Sequence, residues 1–254
     1  MPLTAGEELF ARYAFPPNDL GHCGPPGAEL LLAEASTGDS EAVRARLEQF
    51  EGAWPYLRVL AATAGADDGL DLEVVSAYWL GGRLLDRVES ADFRKAVSLA
   101  FGTQPGVRER LADIPDTRGV AADHVFHVFV VYPWVALLGS AGDVARSVLD
   151  SCRVRWGTVE SVEGDLAGVR SRPLTWDGAA LGLGAERVEV CRWARGPHSF
   201  VRGLKVGDEV SLHWNWVCDR LKADQTVELA ERTQRQLALT NEWLARRAPI
   251  GQSG

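Results

Sequence analysis

Through the first 150 residues apolar positions recur at helical spacing, and beyond Cys152 they alternate between short turn signals, so the chain divides by period. Ala28 to Ala35 and Ser40 to Gly52 read as a helical hairpin broken at Gly38, with Ser40 as the N-cap of its second arm. Further helices are predicted over Tyr56 to Ala64, Leu72 to Leu80, Ser90 to Leu99 and Val107 to Ala112, separated by Gly, Asp and Pro clusters. The run Val125 to Leu138 is rich in valine and phenylalanine, which suit a strand, but its helical neighbourhood favours a buried helix kinked at Pro133. Gly142 to Asp150 reads as the last helix of this half. Before the first hairpin, Phe15 to Pro26 is dense in proline and glycine and reads as a rigid loop that presents His22 and Cys23 side by side.

From Cys152 the alternating segments are punctuated at Glu163-Gly164-Asp165, Trp176-Asp177-Gly178 and Val206-Gly207-Asp208, which are turn signals between strands. Four or five short strands with no helical pattern between them fit a small antiparallel barrel, which removes its own edges by closing. An amphipathic helix, Ala223 to Arg246, follows. The predicted class is therefore α+β: an all-α domain over 1–150, then a small antiparallel β-barrel with a C-terminal helix over 151–254.

Charge and composition narrow the function. A net charge of -8 argues against a phosphate backbone or anionic lipid as partner, so neither nucleic acid nor a membrane is expected. No export signal and no uninterrupted run of about 18 apolar residues is visible, and a cytoplasmic protein is expected. Four cysteines, Cys23, Cys152, Cys191 and Cys218, form no CxxC pair, so free thiols or metal ligands are favoured over a disulfide framework or a zinc ribbon. Phosphate-binding glycine loops, the GxSxG elbow and the HExxH zinc site are missing.

The strand-rich part carries the specific pattern. Cys152 is followed by Gly157, a strand and the turn Glu163-Gly164-Asp165; later, Gly207-Asp208 opens a strand, Glu209 to His213, that ends in histidine before an apolar stretch and a helix. In that order these pieces resemble the HypC family of hydrogenase-maturation iron chaperones. The resemblance implies a small barrel and a non-enzymatic accessory protein of nickel-iron hydrogenase. It also implies an iron, with cyanide and carbonyl ligands, held through Cys152 with His213 beside it. The partners implied are other maturation proteins or the hydrogenase large subunit. Unlike the family's cysteine, Cys152 is internal, so it has no free backbone amine to offer. Over the whole chain, the segments FARYAFPPN (Phe10 to Asn18) and YPWV (Tyr132 to Val135) resemble an uncharacterised two-domain bacterial family.

The helical half offers its own ligands. On a helix, His124 and His127 at i, i+3 share one face, which suits a common metal, and His22 or Cys23 could complete such a site. Two further functions follow: a metal- or haem-dependent enzyme in the helical half that supplies a diatomic ligand, or a metal-free interaction adaptor. Cys191 and Cys218 read as packing residues.

Overall fold

A computed structural model describes residues 3–37, 40–114 and 121–247. Gly38, the expected helix stop, lies outside the described residues. The chain opens with α1, Ala5–Asp19, started by a reciprocal cap in which the Thr4 hydroxyl accepts the Glu7 N–H and the Glu7 carboxylate accepts the Thr4 N–H. The expected loop at Phe15 to Pro26 is thus only half loop: Phe15 to Asp19 forms the last turn of α1, with Pro16 and Pro17 inside it. A proline removes the N–H that the carbonyl four residues earlier would accept. Near a helix end that loss is small, and the Tyr13 carbonyl left free by Pro17 finds a side-chain donor described below.

Six helices follow: α2 Ala28–Thr37, α3 Ser40–Leu47, α4 Trp54–Ala64, α5 Leu72–Leu80, α6 Ser90–Phe101 and α7 Val107–Asp113. The ambiguous valine-rich run is helical but irregular. It comprises α8, His124–Phe126, a π-turn over His127–Val131, a 3-10 turn over Pro133–Leu137, and α9, Leu138–Cys152. Tyr132 is extended (ψ 143°), as the residue before a proline must be, and Ala141 is non-helical. His124–Cys152 is apolar and long enough by composition to cross a bilayer, yet these two interruptions break it and both of its end residues are buried.

The strands are β1 Arg155–Glu163, β2 Leu166–Ser171, β3 Leu174–Trp176, β4 Leu181–Leu183, β5 Arg187–Arg192, β6 Glu209–His213 and β7 Trp216–Arg220. Five of them make one sheet in the order β1-β2-β5-β7-β6, with β6 pairing back onto β1. The wholly antiparallel arrangement expected from the sequence needs correction. β5 pairs with β7 in parallel at Arg192 and Trp216, because a closed ring of five strands cannot alternate direction at every step, and β3 with β4 forms a separate hairpin. The helix α10, Ala223–Arg247, closes the chain.

The main hydrophobic core joins helical residues such as Phe10, Tyr56 and Phe93 to Val154, Trp216 and Cys218 of the strand region and Leu229 and Leu239 of α10. Apolar packing is thus continuous across residue 150. Arg12 reinforces it by pairing with Asp219 at 2.6 Å, and the Tyr13 hydroxyl meets that of Ser211 at 2.7 Å.

Candidate metal centre

Three element ends converge behind α1. Cys152 is the last residue of α9, His213 the last of β6, and His124 the first of α8, whose N-terminus is capped by the Asp123 carboxylate accepting the Phe126 N–H. One donor atom from each of the three side chains lies within 4.8 Å of the other two. All three are buried.

The hydrogen bonds assign the protons. His213 Nδ1 donates to the Tyr13 carbonyl at 2.7 Å, the acceptor that Pro17 left vacant in α1. Its Nε2 is therefore a bare lone pair, buried with no partner among the described residues. His124 Nε2 donates to the Cys152 carbonyl at 2.9 Å and lies 4.0 Å from the Cys152 sulfur, while its Nδ1 faces the Tyr78 hydroxyl at 3.3 Å. Burial dominates the acidities. It lowers His124 to about 4 and His213 well below its ordinary value, and it raises the Cys152 thiol, with the Cys23 thiol adding to the rise and Arg155 and the Trp214 indole opposing it. At neutral pH the cluster is two neutral imidazoles and a thiol, so binding a cation there must release the thiol proton.

A thiolate with two imidazoles suits zinc, copper, cobalt or low-spin iron and suits magnesium or calcium poorly. Around a tetrahedral ion such donors stand roughly 3.5 Å apart, so closing the cluster on a metal requires a contraction of about 1 Å. Coordination through His124 Nε2 would transfer that ring's proton to Nδ1, where the Tyr78 oxygen can accept it.

A buried polar frame holds the cluster. Trp214, in the two-residue turn between β6 and β7, has φ 53°, a conformation that the first position of such turns usually fills with glycine. Both its backbone groups are anchored: its N–H donates to the Ser151 carbonyl at 2.7 Å and its carbonyl accepts from Arg155 at 2.6 Å. Arg155 also donates to the Asp150 and Ser151 carbonyls and pairs with Glu189 at 2.9 Å. Asp150 in turn accepts from Arg153 and from the Leu174 N–H. The end of α9, the β6-β7 turn and β5 are thereby fixed to one another around the sulfur.

The cluster forms one wall of a cavity of about 410 Å³. Cys23 and His127 border the same chamber without joining the three donors. His127 Nδ1 meets the Tyr56 hydroxyl at 2.9 Å, and its ring stands 6.4 Å from that of His124. Burial lowers His127 to about 3 and raises Cys23 to about 12. His22 stacks on Trp214 at 4.1 Å. Cys191 lies within the packing of the closed sheet and Cys218 in the main core, its sulfur 3.7 Å from the Trp216 carbonyl.

A protein-family model matches residues 2–247. The chain is a member of DUF6390, a family of unknown function. No curated protein and no solved structure matches it. For this DUF6390 protein the geometry of the cluster therefore carries the functional argument. Sequence reasoning paired His124 with His127 and overlooked Tyr13, Tyr78 and the frame of Arg155, Glu189 and Asp150. The one available signal was the Pro16-Pro17 pair inside a helical pattern, which implies a carbonyl in need of another donor.

Proposed function

We propose that this protein carries a transition metal on His124, Cys152 and His213 and serves as an accessory protein of nickel-iron hydrogenase maturation, with iron as its cargo. One observation carries the metal reading: three buried donors from distant parts of the chain converge within 4.8 Å, and the Nε2 of His213 has no other partner. An orphaned lone pair in a core costs about 1–3 kcal/mol, which a bound cation would recover. The hydrogenase reading rests on the likeness to HypC, with a closed five-stranded sheet entered just after Cys152 and a late strand, β6, that ends in His213.

The residues divide the task. Cys152 supplies the thiolate, a soft and strong donor for low-spin iron. His213 is presented in one tautomer by the Tyr13 carbonyl, and His124 accepts its new proton position through Tyr78. The aromatic residues of the chamber border the centre and lower the polarity around it.

Purification together with hydrogenase maturation proteins, followed by metal analysis and infrared spectroscopy, tests this. The expected result is bound iron with cyanide and carbonyl bands that disappear in Cys152→Ala. Maturation unaltered by both Cys152→Ala and His213→Ala would favour the metal-free adaptor instead. The chamber favours one second reading, an enzyme acting at the open face of the metal. An enzyme would install a diatomic ligand on iron when incubated alone with its precursor, whereas a carrier acquires the ligands only with its partner present.

A further inference from the structure

The chamber is larger than its metal requires. A water molecule occupies about 30 Å³ of liquid, and three diatomic ligands take on the order of 100 Å³, well below the 410 Å³ present. That volume falls in the range of small-molecule pockets. Its walls are largely aromatic: Phe10, Phe50, Tyr78, Trp79, Tyr132 and Trp134 border it together with Trp214. Among the described residues no lysine or arginine lines it, and the one carboxylate, Glu51, is exposed. Such a space favours a flat, apolar occupant and disfavours an anion, which would lose its hydration with no cation to receive it.

Two further atoms set the occupant's polarity. The indole N–H groups of Trp79 and Trp214, both chamber residues, are buried; that of Trp79 makes no hydrogen bond among the described residues, and that of Trp214 has only the Cys152 thiol, a weak acceptor, beside it. Buried indoles ordinarily find an acceptor. Trp214 is held in its place by a strained turn anchored at both backbone groups, and Trp79 packs against His124 and His213 at 4.5 and 5.5 Å between ring centres. Neither ring is where it is by default.

We propose that the chamber is a binding pocket for a flat, neutral, conjugated molecule bearing a hydrogen-bond acceptor, which takes its hydrogen bonds from Trp79 and Trp214. The proposal rests on the chamber's aromatic lining and indole donors and not on a bound metal, so it goes beyond the metal-carrier reading and stands or falls separately from it.

The test uses the full chain, metal-free and ¹⁵N-labelled, with three probes of similar shape: coumarin, which is neutral with a carbonyl acceptor; naphthalene, which has no acceptor; and 1-naphthoate, an anion. Titrations are followed on the indole N–H resonances, assigned with Trp79→Phe and Trp214→Phe. Coumarin is expected to bind saturably and to shift the Trp79 and Trp214 signals. Naphthalene should bind at least about fivefold more weakly, the value of one hydrogen bond, and 1-naphthoate at least about tenfold more weakly. In Trp214→Phe the advantage of coumarin over naphthalene should shrink. No saturable binding of coumarin to the wild-type protein, equal affinity for all three probes, or coumarin binding that leaves both indole signals unmoved would overturn the proposal. The wild-type spectra decide even if a variant fails to fold.

Discussion

Lowering the pH from 7 to 5 should destabilise the metal-free protein severely. His124, His127 and His213 are buried and held neutral, His124 at about 4 and His127 at about 3 against an ordinary 6.5, with His213 also displaced downward. The unfolded chain takes up these protons near pH 6.5, while the native state refuses them until much lower pH. Their contribution is therefore complete above pH 6.5 and is lost as pH falls. Each proton is worth about 1.4 kcal/mol per pH unit, hence roughly 2 kcal/mol per histidine by pH 5 and about 6 for the three. Buried Asp123 works in the opposite direction. Desolvation raises it to about 6, so its native state binds a proton first and regains about 1.4 kcal/mol between pH 6 and 5. Asp208, held at about 2 by Lys205 and Arg220 despite burial, does not titrate in this window. The net loss is about 5 kcal/mol, a large part of the 5–15 kcal/mol typical of a folded protein. Urea unfolding followed by tryptophan fluorescence at constant ionic strength reads it as a drop in midpoint of about 2 M for a slope of ~2.5 kcal/mol per M. In His127→Gln, which keeps a polar partner for Tyr56, the pH slope should fall by about one proton. Equal midpoints at pH 5 and 7 would refute the reasoning.

Four further outcomes follow from named contacts. Arg155→Met strands Glu189 and three carbonyls and should cost about 3–5 kcal/mol in thermal or urea unfolding. Pro17→Ala restores a backbone N–H that competes for the Tyr13 carbonyl, and should weaken metal affinity by about tenfold with little change in fold, as measured by competition with a chromophoric chelator. Gly6→Ala drives a methyl group into the Leu70 carbonyl and should lower stability by at least about 2 kcal/mol, measured by calorimetry. Trp214→Gly relaxes the positive φ but removes the ring that stacks on His22; the chamber should open, and the Cys152 thiol should react faster with a thiol reagent.

The sequence carried the helical half, the change of period after Cys152 and the terminal helix, because each is written in local spacing. It did not carry the parallel pairing of β5 with β7, which follows from closing an odd number of strands into a ring, nor the helical state of Pro16 and Pro17. The site divides in the same way. Cys152 and His213 were legible through an ordered pattern along the strand region. The place of His124 beside them was not, since it depends on contacts between residues 28 and 89 positions apart in the chain. The Arg155 frame was equally hidden: a charged residue in a strand reads as solvent-facing until its buried partners are known. The tautomer of His213 depends on a carbonyl 200 residues away.

The most direct test of the central claim is a titration of the metal-free protein with Co²⁺ under anaerobic conditions, followed by visible and near-ultraviolet absorption. The expected result is one equivalent bound, with tetrahedral d–d bands and a thiolate-to-metal charge-transfer band that vanishes in Cys152→Ala, accompanied by release of about one proton. No stoichiometric binding, or a spectrum identical in Cys152→Ala and His213→Ala, would contradict it.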